Sequence, residues 1–457
     1  MKLSPAPATT DVSSLPAQGQ KLQTPSSPLP APGSRLHASS IPLRAAVSER
    51  TGAVQRTHPN PVIPPTTCQN APAKGSGFSN LPQSKTALPE PLRIEPLATA
   101  PPPRGGTPLA PIGGPSFLSA NLKHTMRAAV LHHPAPIASH PLRIEDLPIP
   151  EPGPGQVLLK VEACGVCRTD LHITLGELPP LRDSITPGHQ IVGRVEKLGA
   201  NVSSIQIGHR AGVSWLGGTD GTCPLCRKNR ENLCDHPTYT GYSVNGGYAE
   251  YAVARADFLI ALPEGPDALH LAPLLCAGII GFRSLRVAEA APGDRVGLFG
   301  FGASAHLAIE VLKSWNCEVY VSSRGESHRR LARTLGATWV GDETERPPVP
   351  LDCAVTFAPS GDVVIAALAS LRKGGIVAIN AIHLDRIPQF DYDSLLWGER
   401  QLRSVTNMTR QDGRDFVALA AKIGIRPRTT TFRLEEVNDA LQAVANDAID
   451  GAAVIIP

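Results

Sequence analysis

Two hydrophobic rhythms follow one another along the chain. Between about 126 and 277, short β-branched runs recur between Gly and Pro: Met126-Arg-Ala-Ala-Val-Leu131, Val157-Leu-Leu-Lys-Val-Glu162 and Ile191-Val-Gly-Arg-Val-Glu196. Runs of this kind predict the strands of an all-β unit. From about 278 the period lengthens. Arg295–Phe299 predicts a strand, Ala303–Ser314 carries apolar residues at helical spacing, and Cys317–Val321 predicts the next strand. Strand, glycine turn, helix and strand in that order form a βαβ unit of a parallel sheet. Ala354–Phe357 and Ile376–Asn380 are further strand candidates, and Leu434–Pro457 predicts a helix and a strand that return to the first unit. The expected class is α/β: a β-rich domain over 126–277, a doubly wound parallel-sheet domain over 278–408, and a returning segment over 409–457.

Residues 1–125 show neither rhythm. They hold about half of the chain's 46 Pro and no Trp or Tyr, too little apolar surface to offset the entropy of ordering, and are expected to be disordered. Three origins fit them: a reading frame extended upstream of Met126, a natural disordered tail, or a transit peptide. The segment carries 11 Lys and Arg against 4 Asp and Glu, whereas the whole chain has a net charge of only +3. That balance gives no reason to expect nucleic acid or a membrane as partner. No window is apolar for long enough to span a bilayer, and Met1–Gln18 lacks the apolar core of a secretory signal. Nine Cys in a chain of 457 residues do not make a small disulfide framework. Set beside His, they point to metal ligation in a reducing compartment, and hence to the cytoplasm.

The chemistry-bearing residues fall into three groups. Cys167, His189 and Cys276 supply two thiolates and one imidazole, which leaves one corner of a tetrahedral zinc open. Each has a blander explanation alone: Cys164-x-x-Cys167 also fits a redox pair, Gly188-His189 a turn, and Cys276 a core position. Thr169 and His172, two and five residues past Cys167, could relay a proton. Asp170 could orient His189 through its second ring nitrogen. Asp220-x2-Cys223-x2-Cys226-x7-Cys234 fits a closed structural zinc site with a carboxylate in one place. Gly300-Phe-Gly302-Ala-Ser-Ala305 is a G-x-G-x-x-A dinucleotide turn between a strand and a helix. Beyond the second strand stands Ser322-Ser323-Arg324 instead of a carboxylate. This favours NADP, whose 2′-phosphate Arg324 can pair, with NAD as the alternative.

Together these motifs resemble a zinc-dependent medium-chain alcohol dehydrogenase, of the bacterial branch that includes cinnamyl-alcohol-dehydrogenase-like enzymes. The resemblance covers 126–457 and rests on Cys164–His172, Arg230–Cys234, Gly246–Tyr251, Leu274–Gly281, Gly300–His306 and Leu396–Arg400. It implies a GroES-like catalytic domain and a Rossmann domain with the site between them, and two zinc ions per subunit. It places Cys167, His189 and Cys276 on the catalytic zinc, and Cys223, Cys226 and Cys234, with Asp220 in the fourth place, on the structural one. Thr169 and His172 take the relay positions, and Arg168 a pyrophosphate contact. The implied reaction is reversible hydride transfer between a primary alcohol or aldehyde and NAD(P) in a homodimer or homotetramer. Gln190 departs from the usual Glu. Thr174 and Leu178 stand where ethanol-specific relatives carry Trp, while Trp215 remains, so a wide pocket for medium-chain or aromatic substrates is expected. A catalytically idle zinc and nicotinamide sensor, or a partner-binding protein on the same fold, is the rival from another class; it has no need of the relay or of the three-ligand set.

Overall fold

Two of the β-branched runs of the first rhythm, 157–162 and 191–196, pair within one seven-stranded sheet. Its path runs Thr429–Arg433, Ala452–Ile456, Gln156–Val166, Gln190–Leu198, Arg210–Val213 and Ile260–Ala261, with Tyr251–Arg255 also paired to Gln156–Val166. The computed structural model describes residues 125–449 and 451–457. The disorder expected of 1–125 therefore lies, Thr125 apart, outside the described residues. The run beginning at Met126 is a strand from Thr125 to Leu131, paired with Leu142–Pro148.

The central strand, Gln156–Val166, is buried along most of its length, with only Lys160 exposed and Gln156 and Glu162 partly so. Val157, Leu159, Ala163 and Cys164 are fully buried. Its antiparallel pairing with Gln190–Leu198 is interrupted by two register shifts and ends at Gly165↔Gln190. That register sets the end of one strand beside the start of the next, so Cys167 and His189 become neighbours from positions 22 residues apart. The last strand joins the same sheet at the same end, with Ala453 opposite Val166.

One expectation needs correcting. The 126–277 stretch is not all-β, because the chain leaves the central strand into a helix, Arg168–Leu175. Cys167 caps its N-terminus and forms a capping box with Asp170, and Gly176 ends it at φ 78°. Local capping chemistry wins there over the strand rhythm on either side.

The second rhythm gives six parallel strands. Their order is Trp339–Gly341, Glu318–Ser322, Arg295–Phe299, Leu351–Thr356, Leu371–Ile379 and Gln401–Ser404. This is the doubly wound order with a switch point beside Arg295–Phe299, where such sheets bind ligands. The Ala303–Ser314 helix coincides with its expectation, and the strand expected from Cys317 starts one residue later. Ala277–Val287 packs against Ala303–Ser314 and Arg410–Ile423. Ile279, Leu285, Leu298, Ile309 and Phe416 are fully buried in this core. Each such side chain contributes roughly 1.5–3 kcal/mol relative to exposure. Among the described residues no single helix is long and apolar enough to cross a membrane.

Candidate active site

Cys167, His189 and Cys276 converge from three separate elements. Cys167 caps the Arg168–Leu175 helix, His189 precedes the Gln190–Leu198 strand, and Cys276 sits at the bend before the Ala277–Val287 helix. Their ligand atoms all lie within 4.8 Å of one another. Cys167 Sγ is 3.5 Å from His189 Nε2.

A buried carboxylate organises the group. Asp170 Oδ1 contacts His189 Nδ1 at 3.0 Å and accepts from the Gly188 N–H at 3.2 Å, while Oδ2 accepts from the Cys167 N–H at 3.0 Å. Neither Asp170 nor His189 has any exposed side-chain surface. A carboxylate taken from water needs such a set of partners. It also leaves Nε2 as the nitrogen that faces the two sulfurs. Burial alone would lower the His189 pKa, but Asp170 and Cys167 outweigh it and hold the imidazole well above its usual value. The Cys276 thiol shares its hydrogen with Cys167, which lowers Cys167 well below the ordinary thiol range and raises Cys276. A cation entering the group would displace these protons. The backbone at Gly188 (φ 95°) suits glycine alone, since an added Cβ would lie 2.6 Å from the Tyr248 ring and 2.9 Å from Cys164 Sγ.

The second cysteine group is also assembled. Asp220, Cys223, Cys226 and Cys234 bring four ligand atoms within 4.8 Å. Asp220 Oδ1 accepts from the Cys223 and Thr222 N–H groups at 3.0 and 2.9 Å, which lowers its pKa. Loss of hydration and hydrogen bonding with Cys234 and Cys223 push Cys226 up to about 12, whereas backbone N–H groups, Asp235's first, lower Cys223. Glu231 and Arg410 clamp this lobe to the Arg410–Ile423 helix, with Nη2 to Oε2 at 2.6 Å.

The glycine turn lies at the tip of Arg295–Phe299. Gly300 takes φ 88°, and a Cβ there would lie 2.8 Å from the Ala358 nitrogen. Its N–H donates to Ser322 O at 2.7 Å. Gly302 caps the Ala303–Ser314 helix without a side-chain hydrogen bond, so the first-turn N–H groups keep their donors for an anion. Ala305 is fully buried, as its packing role requires. Ser323 is buried and donates its N–H to Gly341 O at 3.2 Å. Arg324 is exposed and forms no ion pair among the described residues. Arg168 pairs with Asp447.

Residues 153–264 match the alcohol dehydrogenase GroES-like domain. The chain is 45% identical over 337 residues to "Probable alcohol dehydrogenase AdhA" of Mycobacterium tuberculosis (strain CDC 1551 / Oshkosh), covering 73% of this chain and 97% of that one. It is 32% identical to an alcohol dehydrogenase of Geobacillus stearothermophilus, covering 72% and 98%. Among solved structures, a cobalt- and zinc-bound thermostable alcohol dehydrogenase from Pyrobaculum aerophilum superposes with a TM-score of 0.65 at 25% identity, over 73% of this chain and all of that one.

The chain belongs to the zinc-dependent medium-chain alcohol dehydrogenase family.

In this dehydrogenase the aromatic wall beside His189 is built from more than Trp215. Trp215 stands edge-on to His189 with centroids 5.3 Å apart, and stacks on Tyr239 and Tyr242 at 4.8 and 5.9 Å. Tyr242 Oη donates to Pro179 O at 2.6 Å, fixing the loop around Leu178. Thr174 is fully buried, with its hydroxyl donated back to Asp170 O at 2.8 Å. Thr169 is buried and His172 half-buried on the same helix, three residues apart, so both face one side. Sequence reasoning missed Tyr239 and Tyr242, the Glu231–Arg410 clamp, and Glu177 and His383 beside His172. None lies in a spaced motif; each becomes a partner only through the fold.

Proposed function

We propose that Cys167, His189 and Cys276 hold the reactive zinc, and that Asp220, Cys223, Cys226 and Cys234 hold a second, structural one. Three converging ligands around a carboxylate-oriented imidazole carry this reading. Bound there, zinc supplies Lewis acidity toward an alcohol or carbonyl oxygen. Asp170 fixes the His189 tautomer, and Thr169 and His172 pass the hydroxyl proton from the buried interior toward solvent. The Gly300–Ala305 turn and the helix after it receive the pyrophosphate, with Arg168 released from Asp447 to help. The reaction is reversible hydride transfer between an alcohol and the nicotinamide.

NADP is the preferred cofactor in this reading. It is supported by exposed Arg324 at the tip of the second strand and by the absence of a carboxylate at Ser322-Ser323. The substrate class is medium-chain or aromatic primary alcohols and aldehydes, supported by the Trp215–Tyr239–Tyr242 stack beside His189. Flat rings gain roughly 0.5–1.5 kcal/mol on such a surface beyond area burial. A homodimer or homotetramer fits the edge strand Gln401–Ser404, near which Trp397 and Tyr392 are 61% and 54% exposed. A cytoplasmic location completes the reading, in keeping with reduced thiols. The test is kcat/KM for cinnamyl alcohol and ethanol with NADP+ and NAD+. Cinnamyl alcohol with NADP+ is expected to be favoured; a strong ethanol preference defeats the substrate assignment.

A further inference from the structure

Away from the two cysteine groups, the described residues gather one more set of metal-ligating side chains: His172, Glu177 and His383, with ligand atoms within 4.8 Å of one another. We propose that these three form a separate site for a borderline divalent cation such as Zn2+, which ties the helix of the catalytic domain to the Rossmann sheet and withdraws His172 from proton transfer. The effect on proton transfer rests on the relay role proposed above for His172; the site itself does not.

Two of the ligands are held together before any cation arrives. Gly176 turns the chain back at the helix end, so that the Glu177 N–H donates to His172 O at 3.0 Å. The Glu177 carboxylate then meets His172 Nδ1. The third ligand comes from the opposite side. His383 follows the Leu371–Ile379 strand, in a segment pinned at both ends: Asn380 N–H donates to Thr356 O at 2.9 Å, and Gly361 N–H donates to Asp385. The two imidazoles meet edge to face, with centroids 5.3 Å apart at 77°. Neither ring stacks flat on the other, so a nitrogen of each can turn to a shared point.

Two imidazole nitrogens and one carboxylate oxygen are a zinc donor set, and water completes the tetrahedron. Tetrahedral zinc at ordinary bond lengths needs its ligands about 3.3 Å apart, so the present spacing closes by small side-chain rotations. The site is open to solvent: the Glu177 side chain is 49% exposed and that of His172 21%. A cation there occupies a His172 nitrogen lone pair, and an imidazole without that lone pair cannot take up the relayed proton. Closure of the His383 segment onto the helix would also hinder exchange of cofactor and substrate between the domains.

The test uses the intact enzyme, loaded to two zinc per chain by elemental analysis and desalted. Zn2+ is titrated calorimetrically near neutral pH, and turnover is followed over the same zinc range. Wild type is expected to bind one further equivalent and to lose activity as it binds. His383→Ala and Glu177→Gln are expected to weaken that equivalent at least tenfold while retaining two tight zinc ions, with His383→Ala keeping the zinc-free turnover within about twofold. No further equivalent in wild type, or an equal one in both variants, overturns the site. A further equivalent without inhibition upholds the site and overturns the relay role of His172 instead.

Discussion

His189 and Asp170 face each other through Nδ1 and Oδ1 at 3.0 Å, with both side chains wholly buried. The pair fixes which imidazole nitrogen reaches the sulfurs, and the same carboxylate ties down the backbone at Cys167 and Gly188. Asp170→Asn keeps the shape but removes the charge. Zinc affinity at the reactive site is expected to fall about 10–100-fold. Competition with a chelator measures it; unchanged zinc retention contradicts the positioning role.

Gly300 carries φ 88° with the Ala358 nitrogen beneath it. Gly300→Ala costs about 1–2 kcal/mol for the left-handed backbone alone, and the collision adds to this by shifting the turn. NADPH binding, followed by fluorescence, is expected to weaken at least tenfold while zinc content stays at two per chain. Unimpaired NADPH binding contradicts the assignment of this turn to the pyrophosphate.

Arg324→Ala separates the two cofactors. One lost charge-assisted hydrogen bond is worth about 1.5–3 kcal/mol. The KM for NADPH should therefore rise roughly 10–100-fold, while that for NADH stays nearly constant. Equal changes for both cofactors would remove Arg324 from phosphate recognition.

Much of this site was legible in the chain because its signals are local or chemically rare. The Gly300–Ala305 turn sits between a strand and a helix whose expected bounds, Arg295–Phe299 and Ala303–Ser314, coincide with the folded ones. The cysteine spacings from Asp220 to Cys234 close on one loop. What stayed hidden depends on register and packing. His172 and His383 are 211 residues apart and meet only because a strand of one domain ends beside a helix of the other. Tyr239 and Tyr242 stand in no spaced motif, and only the fold stacks them on Trp215. The Arg168–Leu175 helix was masked by the strands around it, although its capping pair, Cys167 and Asp170, was in view.

Asp412 links acid stability to the helix that carries Phe416. Burial opposes its ionisation, but the Thr409 hydroxyl and N–H and the Arg283 guanidinium outweigh it and hold the carboxyl below the usual range. A depressed folded pKa contributes stability above the unfolded value, about 3.9, and that contribution is lost as pH falls through the folded value. Asp412→Asn is expected to lower stability at neutral pH by about 3 kcal/mol, the low end for a broken buried pair because its two partners, Arg283 and Arg286, keep some water. Its Tm should also fall less steeply than wild type below about pH 4. Parallel Tm curves would contradict this.

The most direct test of the central claim is the zinc content of His189→Ala, determined by elemental analysis together with turnover of an aromatic alcohol. One zinc per chain in place of two, with turnover abolished and the fold intact, is the predicted result. Two zinc ions per chain, or turnover within tenfold of wild type, would contradict a reactive centre built on Cys167, His189 and Cys276.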